Sequence, residues 1–332
     1  MFSFILMDNT IWIEKYRPCE FEEIIGQDKN INMLNKMISN GSLPHLIFHG
    51  KSGTGKTSTI MSIANKLYGN KKTFMVMKLD ASDDRGINTV REEIKGFADK
   101  MTPFNNGVKL IILDEADSMT YEAQFALRRI IEKYSDNTRF CLICNYENKI
   151  IPPIKARCVN IRFYPIKKNI IINRLLKICS LEKINYTDEC IESIAIISNG
   201  DLRKAINMLQ SLSMMRDKIT ADLCYDMTGI PNPTLVVDVF NKLIDKNISY
   251  ADIYVYIKTH ILETGILLNF LCQQLTIHMT NLITTNQIIN DDYNDIYPSI
   301  IIDMAKLESD VSISTFNDIY TAGLISIFKK HC

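Results

Sequence analysis

Residues 50 to 57 read Gly50-Lys51-Ser52-Gly53-Thr54-Gly55-Lys56-Thr57, a fit to G-x-x-x-x-G-K-[ST]. The apolar run His45-Leu46-Ile47-Phe48-His49 precedes it, and a helical pattern through Ile60, Ile63, Ala64 and Leu67 follows. A strand passing through such a loop into a helix makes a phosphate cradle. Backbone N–H groups must curl around anionic oxygens in a shape that Cβ atoms would obstruct, so glycines are required. Lys56 is expected to meet the β/γ-phosphates of a nucleoside triphosphate. Thr57, opening the helix whose N-terminus faces the phosphates, is expected to hold Mg²⁺ through its hydroxyl.

The rest of the chain supplies the fold this loop needs. Apolar runs at 45–48, 74–79, 108–113, 139–144 and 158–163 alternate with helical patterns, which predicts an α/β core whose parallel sheet is covered on both faces. Ile31, Leu34 and Ile38 recur at helical spacing, and Gly41 closes that helix ahead of the first strand. The third run ends in Asp114-Glu115-Ala116-Asp117. Two adjacent carboxylates at the mouth of a buried strand suit a division of labour: Asp114 orients Mg²⁺ and its waters, and Glu115 polarises an attacking water. Asn145 after the fourth strand and Arg157 at the mouth of the fifth occupy the end of the sheet where α/β folds place ligand contacts. After Pro165 the pattern is helical only, and Pro231-Asn232-Pro233 reads as a linker to a second helical block. At 332 residues, two or three domains are expected.

Charge narrows the choice of partners. The formal net charge is zero, so a nucleic acid must be held by a local basic stripe and not by a global field. The helix from Ile87 to Met101 buries Ile87, Val90, Ile94, Phe97, Ala98 and Met101, leaving Arg91 and Lys95 one turn apart, where they form either a phosphate grip or a solvated basic face. Arg128 and Arg129 project from the helix after Thr120 with no role assigned by pattern.

The nine cysteines are odd in number and scattered through strands and helices, which suits a reducing compartment. Cys141-x-x-Cys144 lies within an apolar strand and reads as core, not as a metal or redox pair. Phe2 to Met7 is short and lacks a basic leader, so an intracellular chain is expected. The uncharged stretch from Thr264 to Asn290 is broken by Asn269, Gln273, Gln274, His278 and Asn281, and reads as a bundle helix with no membrane partner.

Taken together these motifs resemble the small subunits of replication factor C, the AAA+ clamp loader. The resemblance is carried by Trp12 to Pro18, the phosphate loop, Ala81-Ser82-Asp83-Asp84-Arg85-Gly86, Asp114 to Asp117, Ala126-Leu127-Arg128-Arg129 and Arg157-Cys158. Phe140 to Tyr146 and Lys149 to Pro152 single out one type of small subunit within it. It implies an AAA+ core over 1–165, a helical lid over 166–230 and an all-α collar over 231–332 that joins five subunits in a ring, in a nuclear protein.

The resemblance also implies roles for particular residues. Ile13, Arg17, Ile25 and Gly26 would line the adenine and phosphate pocket of ATP, with Ser52, Gly53, Thr54, Gly55 and Ser58 around the phosphates. Asn145 would be the first sensor, Arg203 the second, and Arg157 the finger acting on ATP of a neighbouring subunit. Arg85, Arg91 and Lys95 would follow the backbone of primer–template DNA without reading sequence. Phe97, Met101 and Phe104 would face the sliding clamp.

The chain departs from the family pattern at Lys51-Ser52 (usually Pro-Pro), Asp80 (Asn), Phe125 (Asn) and Lys155-Ala156 (Gln-Ser). Three functions stay open at this point. They are an ATP-hydrolysing clamp-loader subunit, a subunit that binds ATP structurally with negligible turnover, and another AAA+ remodeller with a pore loop.

Overall fold

The computed structural model describes residues 10–81, 87–100, 107–284, 296–313 and 317–331. Five strands, β1 (Leu46–His49), β2 (Val76–Asp80), β3 (Lys109–Asp114), β4 (Thr138–Cys144) and β5 (Val159–Arg162), pair in parallel in the order β2-β3-β4-β1-β5. All five expected strands are present. Because the side-chain period of a strand is two, each apolar run feeds both faces. Ile47, Ile111, Leu113, Phe140 and Leu142 pack on one face, and Leu46, Phe48, Leu110, Ile112 and Ile143 on the other.

In chain order the helices of this part are α1 (Trp12–Lys15), α2 (Asp28–Ser39), α3 (Lys56–Tyr68), α4 (Lys72–Met75), α5 (Ile87–Asp99), α6 (Tyr121–Tyr134) and α7 (Pro152–Lys155). Helices α5 and α6 cover the first face with Ile94, Ala98, Leu127, Ile130 and Ile131, and α2 and α3 cover the second with Ile31, Leu34, Ile60, Ile63 and Ala64. Phe140 is fully buried, its ring 5.7 Å from that of His45. Phe140→Ala should cost about 3–5 kcal/mol, since the cavity left in a close-packed core adds to the lost transfer energy. A lower urea midpoint, followed by the emission of the single tryptophan, Trp12, would register the loss.

The same alternation settles Cys141 and Cys144. Residues i and i+3 of a strand point to opposite faces, and Cys141 packs with the second cluster while Cys144 packs with the first. Both are buried and free, and burial pushes the Cys144 thiol up to about 12. They are core residues, as expected, and no metal-holding cluster occurs among the described residues.

Helices α8 (Lys168–Glu182), α9 (Asp188–Ile197) and α10 (Leu202–Met215) follow the sheet. The chain divides into two compact units, Met1–Asp217 and Lys218–Cys332. The second holds α11 (Ala221–Thr228), α12 (Pro233–Ile244), α13 (Tyr250–Ile257), α14 (Leu268–Thr284), α15 (Ile296–Ile313) and α16 (Asn317–His331). Pro231-Asn232-Pro233 acts inside this unit as a helix start: the Asn232 side chain accepts from the Thr234 N–H, and Pro233 opens α12. Residues 268–284 of the uncharged stretch form α14, burying Leu268, Leu271, Cys272, Leu275 and Met279 at helical spacing. Phe240 centres the unit's core, edge-on to His278 and Phe328 at 4.9 and 6.3 Å. No helix among the described residues is long and apolar enough to cross a membrane.

Candidate nucleotide site

Parallel pairing brings the C-terminal ends of β1, β3 and β4 to one edge of the sheet, with His49 opposite Cys144 and Leu113 opposite Leu142. The phosphate loop, the Asp114–Asp117 stretch and Asn145 leave the sheet there, though nearly a hundred residues separate the first from the last.

The loop has the conformation its glycines predict. Gly50 (φ 141°) and Gly53 (φ 65°) lie in the left-handed region; a Cβ on Gly50 would stand 2.2 Å from the Phe163 carbonyl oxygen. A Cβ on Gly53 would collide with the Asp201 carboxylate. Lys56 is buried, and its ammonium donates to the carbonyls of Gly50 (2.6 Å) and Lys51 (2.8 Å) and to Asn145 Oδ1 (3.1 Å). Burial holds its pKa below the ordinary lysine value.

Beside it, Thr57 Oγ1 donates to Asp114 Oδ2 at 3.2 Å, and Lys78 Nζ lies 3.1 Å from the same oxygen. A hydroxyl next to one carboxylate is a hard oxygen donor set that fits Mg²⁺, which keeps several of its own waters. Glu115 is exposed and carries a left-handed backbone (φ 53°), a strained state for a residue with a Cβ. The strain turns the chain away from β3 directly after Asp114, with the Glu115 N–H donating to Asp114 Oδ1 at 3.2 Å.

The cleft around these groups is lined by Ile13, Arg17, Ile25, Ser52, Gly53, Thr54, Gly55, Lys56, Thr57, Ser58, Asp114, Glu115, Asn145 and Arg203. Gly26 lies behind that wall with φ 76°, a Cβ there falling 3.2 Å from Ile166. Arg203 comes from the first turn of α10, whose Leu202 N–H donates to the Gly53 carbonyl at 3.2 Å.

Arg157 is not part of this cleft. Its guanidinium pairs with Glu132, which also takes Arg128 at 3.1 Å, and donates to the Pro153 carbonyl at 2.7 Å. Lys95 is exposed on α5. Phe97 is half-buried against the first core face, and the Lys109 ammonium stands 5.4 Å over its ring while donating to the Phe97 carbonyl. Arg85, Met101 and Phe104 lie outside the described residues, as does the side chain of Arg91.

One contributor escaped pattern reading. Asp117 Oδ2 accepts from the backbone N–H groups of Asn145 (3.3 Å) and Tyr146 (3.2 Å), fixing the turn that aims Asn145 at Lys56. Its place as the fourth residue of the acidic stretch was the available signal.

Residues 46–166 match the AAA family, "ATPase family associated with various cellular activities", and residues 173–214 match the RCF1/5-like AAA+ ATPase lid domain. Replication factor C subunit 5 of Mus musculus is 37% identical over 324 residues, covering 97% of this chain and 92% of its own. The chain belongs to the replication factor C subunit family. Replication factor C subunit 3 of Saccharomyces cerevisiae is 42% identical over 243 residues, 72% of each chain. Phe140 to Tyr146 and Lys149 to Pro152 resemble the subunit numbered five in the human naming and three in the yeast naming, and these two relatives carry those numbers. Among solved structures the fold is shared with the Thermotoga maritima RuvB Holliday junction branch migration motor, at TM-score 0.53 and 16% identity over 78% of this chain and 91% of that one. This replication factor C chain is an AAA+ ATPase acting within a multisubunit assembly.

Proposed function

We propose that the chain is an ATP-binding and ATP-hydrolysing small subunit of the clamp loader, which opens the sliding clamp (PCNA) and loads it on primed DNA for replication and repair synthesis in the nucleus. The observation that carries this reading is the convergence of Lys56, Thr57, Asp114, Glu115, Asn145 and Arg203 on one cleft. A site kept only for structural ATP binding has no use for Glu115, which the metal does not need.

In the proposed division of labour, Ile13, Arg17, Ile25 and Gly26 bound the adenosine end, and the backbone of Ser52 to Gly55, with Ser58, cradles the phosphates. Thr57 and Asp114 hold Mg²⁺, which when bound neutralises charge on the phosphate oxygens. Glu115 orients the attacking water and takes its proton. Asn145 and Arg203 approach the terminal phosphate from the sheet and the lid. The segments 1–165, 166–230 and 231–332 act as core, lid and collar, the collar joining this chain to four other subunits. With no net charge overall, DNA contact falls to Arg85, Arg91 and Lys95. Clamp contact falls to Phe97, Met101 and Phe104.

Arg157 lies away from its own cleft on an exposed part of the sheet edge, which suits a finger delivered to the next subunit of a heterologous ring. A guanidinium delivered to the transferring phosphoryl group is worth roughly 10³ to 10⁵ in rate. Arg157→Ala should leave this subunit's own ATP affinity unchanged and slow hydrolysis at the adjacent site by about that factor. Single-turnover assays with one competent site at a time would show it, and a loss confined to the site of Lys56 would mean Arg157 acts in cis.

The reading as a whole is tested by purification and assay together. A stable complex with four related subunits, whose ATPase rises with primed DNA and clamp, is the expected result. A chain that purifies alone and ignores both would refute it.

A further inference from the structure

We propose that the wall of the cleft formed by residues 12–17 is carried by the lid, and that Glu182 is the residue that positions it for the nucleotide. The proposal rests on the reading of the cleft as an ATP site. Ile13, Tyr16 and Arg17 line that cleft across from the phosphate loop. Helix α1 is only four residues long and cannot hold this shape by itself. The lid supplies what is missing.

Glu182 Oε1, at the end of α8, accepts from Lys15 Nζ at 2.7 Å and from the Tyr16 hydroxyl. Earlier in α8, Arg174 NH2 donates to the Tyr16 carbonyl at 2.8 Å. On α10, Gln210 Oε1 accepts from the Trp12 backbone N–H at 3.0 Å, and Trp12 is only 9% exposed. The Tyr16 phenol is pushed up to about 12 by burial and by its bond to Glu182, so it stays a donor at all working pH values.

Helices α8 and α10 thus hold the segment by three side chains, and α10 also carries Arg203. A motion of the lid would move the adenosine wall and Arg203 together, coupling base binding to phosphate sensing. No single residue of 12–17 announces this, because its partners come from about 160 to 200 positions later in the chain.

Trp12 is the only tryptophan, so its emission reports the segment directly. In the full chain, Glu182→Ala should open Trp12 to acrylamide quenching and weaken Mg·ATP binding about ten-fold, the effect of losing one charge-assisted anchor. Binding of inorganic tripolyphosphate, which has no base, should not change. Glu182→Gln, which keeps an acceptor for both donors, should recover most of the loss. Tyr16→Phe removes only the hydroxyl and should move both readouts the same way, which covers the case of a poorly folded Ala variant.

An unchanged Trp12 accessibility would overturn the latch. Exposure of Trp12 with unchanged ATP affinity would overturn its role in positioning. Lys56→Ala separates the two readings: it should lose ATP and tripolyphosphate with Trp12 still shielded. Retained ATP binding there would count against the nucleotide reading, while Trp12 accessibility in Glu182→Ala still decides the latch.

Discussion

Lys56→Ala should abolish tight ATP binding and leave the fold intact. The ammonium is buried at the centre of the loop, where carbonyls of Gly50 and Lys51 and the side chain of Asn145 hold it. Desolvation already disfavours its charge, so a triphosphate is the partner that stabilises it most. Truncating one member of a buried, hydrogen-bonded charge pair costs about 2–5 kcal/mol, or roughly one and a half to three and a half orders of magnitude in affinity. The cut leaves three polar acceptors facing the gap, and one of them, the Asn145 side chain, lines the open cleft. Equilibrium titration with Mg·ATP, beside a thermal melt showing an unaltered transition, would establish both halves of the expectation.

Glu115→Gln should have the opposite signature, with ATP bound at near wild-type affinity and not turned over. Its carboxylate is exposed in the cleft and set beside the Thr57–Asp114 pair by a left-handed backbone turn. The amide keeps the size and hydrogen-bonding capacity of the side chain and loses its basicity. A positioned general base contributes about 10² to 10⁴ in rate, and the loss should fall within that range. A Gln variant that turns over at the wild-type rate would remove Glu115 from the mechanism.

The sheet was readable because its three inner strands, β1, β3 and β4, are apolar on both faces, as a doubly covered parallel sheet requires. Lys56, Thr57 and Glu115 could be placed from their motifs alone, and all three line the cleft. The site was not readable where the contact depends on residues far apart in the chain. Asp117 acts by accepting backbone N–H groups of the next strand's exit, and backbone donors leave no mark in a sequence. Glu132 is an ordinary surface acid on α6 until α7 brings Arg157 to it. Tyr16 and Glu182 are likewise joined only by the fold. Pro and Asn mark a helix start as readily as a linker, and in Pro231-Asn232-Pro233 the Asn232 side chain does cap α12.

The proposed function places ATP hydrolysis in this chain's own cleft, within the clamp loader. Its most direct test is phosphate release in a single turnover by the assembled complex, with every other nucleotide site disabled and Lys56 and Glu115 intact here. Release that accelerates when primed DNA and clamp are added, and that vanishes on Glu115→Gln, is the predicted result. ATP that stays bound and uncleaved under those conditions would contradict it and leave the site a structural one.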